Sequence, residues 1–214
     1  MIAIIGAGGH GKCVYECFYL QGERVIGFFD DDAGKHNSEV INGLKVLGSS
    51  EEVLTYEEVD AIFVAIGDNR KRLEKFEYFK RKGYQLPNAI HKEVYCSPFT
   101  EMGQGNFLMG RAVLNPHSRI GNCCIINTSA TVGHDCVLED GVQLGPGVNL
   151  AGASLIKKGV FIGIGAKVGP GATIGSWTVV GAGAVVLNDL PANSFCGGIP
   201  AKTIDKDDSS GLVK

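Results

Sequence analysis

Apolar residues recur every six positions from Cys96 to Val186. The series is Cys96, Met102, Leu108, Leu114, Ile120, Ile126, Val132, Leu138, Leu144, Leu150, Ile156, Ile162, Val168, Ile174, Val180 and Val186, with no polar member among the sixteen. Four places after most of them stands a small or β-branched residue, such as Ala130, Cys136, Val142, Val148 or Ser154. Glycine follows the series residue in eight of the sixteen hexads, so glycine punctuates the pattern rather than loosening it. A helix needs apolar spacings of three and four, which a strict period of six excludes. The pattern predicts a β-solenoid with one short strand and one tight turn per hexad. Three hexads close a coil, and about five coils fit between residues 96 and 191. No coil buries its own core, so stability must come from stacking.

Residues 1–95 follow a different rhythm. IAII (2–5) reads as a buried strand, CVYECFYLQ (13–21) as a helix and RVIGFF (24–29) as a second strand. EEVLTYEE (51–58) reads as helical, DAIFVAIG (60–67) as a strand and NRKRLEKFEYFKRKG (69–83) as an amphipathic helix. Strands alternating with helices predict a parallel sheet. The expected division is an α/β unit over 1–90, a solenoid over 91–204 and a flexible tail over 205–214.

Composition narrows the function classes. The 214 residues are 44% hydrophobic and 20% charged, with a net charge of −3, a globular balance without the basic face of a nucleic-acid binder. No apolar run approaches the length of a membrane span, and MIAIIGAGG reads as a strand rather than a secretion signal. Seven cysteines without paired metal spacing are expected as reduced thiols in a cytoplasmic protein. Only His117 and His134 fall within the hexads, too few for a three-histidine zinc site, and no metal is expected.

Two places carry candidate chemistry. Gly6-x-Gly8-x-x-Gly11 follows a strand and opens a helix, and Asp30-Asp31-Asp32 closes the next strand. That context suits a phosphate at the helix start and an acid on a ribose or base edge, although a glycine turn joining strand to helix satisfies the same letters. About ninety residues supply roughly half of a dinucleotide fold, so the unit is expected to hold a nucleotide or nucleotide-sugar rather than NAD. Its candidate contacts are Gly8, Gly9, His10, Asp30, Asp31, Asp68 and Asn69, with His10 alternatively a solvent-facing helix-start residue and Asp68 alternatively a helix cap. The second place is His134-Asp135. They are the third and fourth residues of their hexad, beside the inward Cys136, and are expected outside the core near a corner. A histidine there is free to act as a general base, with a neighbouring carboxylate orienting the ring. The alternative is a surface-turn histidine. Asn127, outward one hexad earlier, is a candidate support.

GAGGHGK, FDDD, AIGDN, the uninterrupted hexads, NTSATVGHDC and GGIPAKTI together resemble the sialic-acid O-acetyltransferase-like sugar acyltransferases of bacterial glycan pathways. Within that group the sequence is most similar to N-acetyltransferases of UDP-4-amino-4,6-dideoxy sugars. The resemblance covers about residues 1–204. It implies an α/β Rossmann-like half domain followed by a left-handed parallel β-helix, a homotrimer, and acetyl-CoA as cosubstrate. It implies His134 as the base, Asp135 as its acid, and Gly152 where a backbone N–H meets the acetyl oxygen. Gln143, Gly165, Gly183, Pro200 and Lys202 are implied on the acetyl-CoA side. Gln143 stands where these enzymes often carry a second histidine. Lys157, Lys158 and Lys167 are further candidates for CoA phosphates or simply solvated, and Phe161 and Trp177 for a trimer interface. The implied activity is acetylation of a nucleotide-linked amino sugar. The alternatives are O-acetylation of a sialic acid or similar sugar, and a non-catalytic trimeric scaffold.

Overall fold

The computed structural model describes residues 1–204 and divides into two compact units. One comprises Met1–Lys92 with Gln104–Phe107, the other Glu93–Gly103 with the chain from Leu108 onward. The tail expected over 205–214 lies outside the described residues.

In the first unit, β1 (Ile2–Ile5) leads into α1 (Gly9–Gln21), then β2 (Val25–Phe29), β3 (Glu39–Ile41), β4 (Leu44–Gly48), β5 (Ala61–Val64) and α2 (Asn69–Arg81). The sheet order is β3-β4-β2-β1-β5. β4, β2, β1 and β5 run parallel, whereas β3 is antiparallel to β4, so the sheet is mixed rather than wholly parallel. The edge hairpin turns on Asn42-Gly43, both at positive φ (52° and 76°), a pair suited to a two-residue hairpin turn. The stretch expected as a helix over 51–58 forms only a 3₁₀ turn, Glu52–Thr55. It buries Val53 alone, which is too little apolar contact to hold a longer helix. α2 buries Arg72, Leu73, Phe76 and Phe79, one stripe at helical spacing. Phe18 of α1 meets Phe63 of β5 edge to face at 5.6 Å.

The second unit is a three-faced solenoid. On one face Val113–Leu114 pairs with Thr131–Val132, and that strand with Asn149–Leu150, always eighteen residues on. On the second face Arg119–Ile120, Val137–Leu138 and Leu155–Ile156 stack in the same register. The third carries Ile125–Ile126, Gln143–Leu144, Phe161–Ile162 and Val179–Val180. The second residue of each pair points inward. Leu144, Ile162 and Val180 form a fully buried column, and Ala130, Val148, Ala166 and Ala184 fill the narrow corner beside it. Buried hydroxyls are satisfied by the corners themselves, as where Ser154 donates to the carbonyls of Ala151 (2.8 Å) and Gly169 (3.1 Å). The hexad rule weakens only at the start. Cys96 is exposed and Met102 half-buried, because no solenoid coil lies beneath theirs.

Ile162→Ala removes a fully buried side chain between two others and is expected to destabilise the protein by about 2–5 kcal/mol. Urea denaturation followed by circular dichroism checks this. A loss below 1 kcal/mol would mean that the coils do not share one core.

Candidate active site

His134 and Asp135 form the turn between the first and second faces. Gly133 N–H donates to Leu150 O (3.0 Å), Cys136 is buried, and the two residues between them are pushed outward. Asp135 adopts φ 58°, the left-handed conformation that this corner also imposes on His117, Ala153 and Gly171 in other coils. His134 Nδ1 lies 2.7 Å from Asp135 Oδ2, and both side chains are largely exposed (68% and 58%). A carboxylate at Nδ1 places the neutral ring's proton there and leaves the Nε2 lone pair as the acceptor. The ring packs over Gly152 of the next coil. A Cβ at Gly152 would come within 2.5 Å of both Cε1 and Nε2, so the missing side chain is the space the imidazole occupies. The corner's ladder runs from Asp135 N–H to Pro116 O, Ala153 N–H to His134 O and Gly171 N–H to Gly152 O, without engaging the Gly152 N–H.

A groove of about 330 Å³ runs along the third face and its corner, lined by Gln143, Pro146, Phe161, Ile164, Val179 and Phe195 among others. Gly165 and Gly183 turn the same corner, at φ 69° and 67°, with open space where a Cβ would stand. Asn127 borders this groove rather than His134. Its Oδ1 accepts from Thr128 N–H (2.8 Å), so within one chain it does not support the histidine pair, because one full side of the section separates the two corners. Gln143 is likewise on a different face from His134. Beyond the last coil, Lys202–Thr203 folds back antiparallel on Cys196–Gly197, with Lys202 and Pro200 exposed.

In the first unit the four glycines of the loop do three jobs. A Cβ at Gly6 (φ 108°) would strike Ala65 O at 2.6 Å, one at Gly11 would overlap Gly6 O, and Gly8 and Gly9 face open space at the start of α1. Asp30 binds the chain itself. Its carboxylate accepts from Ala7 N–H (2.8 Å), Asp32 N–H (3.0 Å) and Lys35 Nζ (3.2 Å). Burial alone would raise its pKa, but these donors outweigh burial and hold it below the ordinary value. Asp31 accepts from Ser50 N–H (2.8 Å) and pairs with Lys75 (3.1 Å). Again burial opposes, and the donors lower the pKa. Asp68 caps α2 through Lys71 N–H (2.8 Å), and Asn69 Oδ1 accepts from Arg72 (2.7 Å). His10 is not turned to solvent. Its ring meets Phe107 edge to face at 4.7 Å, and its buried Nε2 has no hydrogen-bond partner among the described residues. Burial, then the Arg72 charge, lower its pKa to about 4, so it is a neutral imidazole at physiological pH. The sequence reading passed over Lys35, Lys75 and the buried Arg72. Each occupies an ordinary amphipathic or loop position, and only the tertiary structure gives it a partner.

Among the described residues no group of three histidine, cysteine or acidic side chains could hold a metal, and no helix is long and apolar enough to cross a membrane.

Known proteins share this fold. The family described as PglD N-terminal domain matches residues 1–79, and the bacterial transferase hexapeptide family matches 153–188. A histidine variant of perosamine N-acetyltransferase from Caulobacter crescentus, solved with CoA and GDP-perosamine, is 39% identical. It superposes with a TM-score of 0.91 over 96% of this chain and 97% of its own. The acetyltransferase domain of PglB from Neisseria gonorrhoeae, solved with acetyl coenzyme A, is 37% identical with a TM-score of 0.89, covering 95% and 98% of the two chains. WeeI from Acinetobacter baumannii is 28% identical with a TM-score of 0.85 over 95% and 99%. The uncharacterized protein L142 of Acanthamoeba polyphaga mimivirus is 29% identical over 125 residues, 58% of this chain, and the match spans about a quarter (24%) of that curated relative's length. A glycine-loop α/β unit followed by a left-handed hexapeptide solenoid defines a hexapeptide-repeat acyltransferase. Within that class, the chain belongs to the acetyl-CoA-dependent sugar N-acetyltransferase family of bacterial glycan synthesis.

Two variants test this geometry. Gly152→Ala is expected to displace the His134 ring and lower acetyl transfer roughly 10²-fold, the scale of an ångström-sized misplacement of a reacting group, with little change in a urea melt. Asp30→Asn is expected to destabilise the protein at pH 7. The Asp30 pKa is lower folded than unfolded, so its contribution is complete above the ordinary value of 3.8 and fades as pH falls through the folded value. Urea melts at pH 7 and pH 3 should therefore show a gap from wild type that narrows in acid.

Proposed function

We propose that this protein transfers the acetyl group of acetyl-CoA to the amine of a nucleotide-linked 4-amino-4,6-dideoxy sugar, with His134 as general base. The observation that carries the reading is the 2.7 Å contact from His134 Nδ1 to Asp135 on a largely exposed ring, which keeps Nδ1 occupied and Nε2 available as the base. The solved relative holding both CoA and GDP-perosamine supports a nucleotide amino sugar as acceptor. The glycine loop at the start of α1 offers backbone N–H groups to a diphosphate, with Gly8 and Gly9 open to its approach.

The amine attacks the thioester carbonyl, forming the C–N bond as the C–S bond breaks. His134 Nε2 takes the amine proton and returns it to the departing sulfur, so the products are amide and free thiol. Asp135 holds the ring's tautomer and stabilises its transient positive charge. The Gly152 N–H is the donor for the developing oxyanion. A base of this kind contributes roughly 10²–10⁴-fold, and alignment supplies much of the remainder.

The groove containing Gln143 and Phe161 takes the acetyl-CoA arm, with Gly165, Gly183, Pro200 and Lys202 towards its rim and end. That groove and His134 lie at different corners of one section, so a complete site joins the groove of one copy to the corner of another, as a homotrimer would. Acetyl-CoA as donor supports a cytoplasmic reaction.

Free-thiol release from acetyl-CoA should be measured against a UDP-linked 4-amino-4,6-dideoxy sugar, its GDP counterpart and free sialic acid. Release with a nucleotide amino sugar is expected, and the preferred carrier identifies the base. Release with sialic acid alone would make this an O-acetyltransferase, and silence with intact nucleotide-sugar binding would favour a scaffold. His134→Ala should lower turnover at least ~10²-fold. Near-normal turnover in that variant would remove the base from the mechanism.

A further inference from the structure

The His134 ring is closed on one side. Gly152 of the coil above lies against Nε2 and Cε1, so the ring is open only outwards and towards the coils below. There the corner carries His117, at φ 59°, in the place that Asp135 holds one coil higher at φ 58°. Beneath His117 stands Phe99. Their rings stack at 6.0 Å with 25° between planes, and His117 N–H donates to Phe99 O (3.2 Å). Phe99 is 64% exposed and His117 is exposed, so neither ring serves the core. A cleft of about 30 Å³ beside them is edged by Glu101, Ser118 and Arg119, with the Arg119–Glu101 pair at 3.5 Å.

We infer that the stacked rings of Phe99 and His117 form the platform for the acceptor's sugar ring, one coil below the base. This rests on the N-acetyltransferase reading and adds the residues that select the sugar. A 4,6-dideoxy pyranose has lost hydroxyls and presents an apolar C–H face, which gains by leaving water for an aromatic surface. The remaining hydroxyls meet the His117 ring nitrogens and the charged edge of the cleft. Adjacent coils are about 4.8 Å apart, a span that a pyranose and its exocyclic amine bridge. A sugar resting against the outward side of the Phe99–His117 stack therefore delivers its amine to His134 Nε2.

The test is Phe99→Ala, with His117→Ala as a second variant. Losing one aromatic face is expected to raise the acceptor KM roughly tenfold and leave the acetyl-CoA KM and free-nucleotide affinity within about twofold. Phe99→Leu should recover part of the loss. An unchanged acceptor KM in both alanine variants, or an equal rise for both substrates, overturns the platform. So does dissociation of the oligomer by Phe99→Ala in light scattering, which would make Phe99 an interface residue between copies. Saturation-transfer NMR with the amino sugar and no acetyl-CoA reads contact without turnover. The sugar-ring and C6-methyl protons should receive saturation in wild type and lose it in Phe99→Ala. No saturation in wild type, or none lost in the variant, overturns the inference. Saturation without thiol release would instead overturn the acetyltransferase reading and leave the platform standing.

Discussion

Parallel pairing between residues eighteen apart is the constraint on which the solenoid and its site depend. It carries the backbone hydrogen bonds, closes the core and decides what lies above and below each outward side chain. The same register that buries Leu144 under Ile162 places Gly152 over His134 and His117 beneath Asp135. The site's precision is thus inherited from the core. His134 sits on a rigid corner, its Nδ1 fixed by the next residue and its ring face fixed by the next coil, and none of these relations requires a mobile loop.

The first unit solves a different problem with charge. A glycine loop is flexible by composition, and here a carboxylate ties it down. Asp30 gathers Ala7 N–H, Asp32 N–H and Lys35, while Asp31 ties the same strand end to Ser50 and Lys75. The acids that look like ligand-readers thereby shape the crevice from within. His10, neutral and buried, keeps an Nε2 with no hydrogen-bond partner among the described residues.

How much could be read in advance follows from the range of each interaction. The hexads were legible because one apolar position per strand is a local, repeated requirement, and the outward corner of His134-Asp135 followed by counting. The Asn42-Gly43 hairpin carried a signal in its turn dipeptide but was hidden by strands of only a few residues. The burial of His10 against Phe107 joins positions almost a hundred residues apart, and no pattern around either one announces it. The family resemblance singles out Gly152 for its backbone N–H, not for its missing side chain. Only its neighbour eighteen residues back shows that its hydrogen atom is what makes room for the imidazole.

The corner at His117, Asp135, Ala153 and Gly171 also governs how such a chain can change over time. A single-residue insertion upstream would rotate every later side chain out of phase, turning buried aliphatics to water and outward groups into the core. Gain or loss of eighteen residues leaves the phase intact. The solenoid therefore tolerates length change only in whole-coil steps. Coils beyond the one that roofs His134 can be added or trimmed without disturbing its immediate surroundings, whereas the coils carrying Phe99, His117, His134 and Gly152 form an indivisible block.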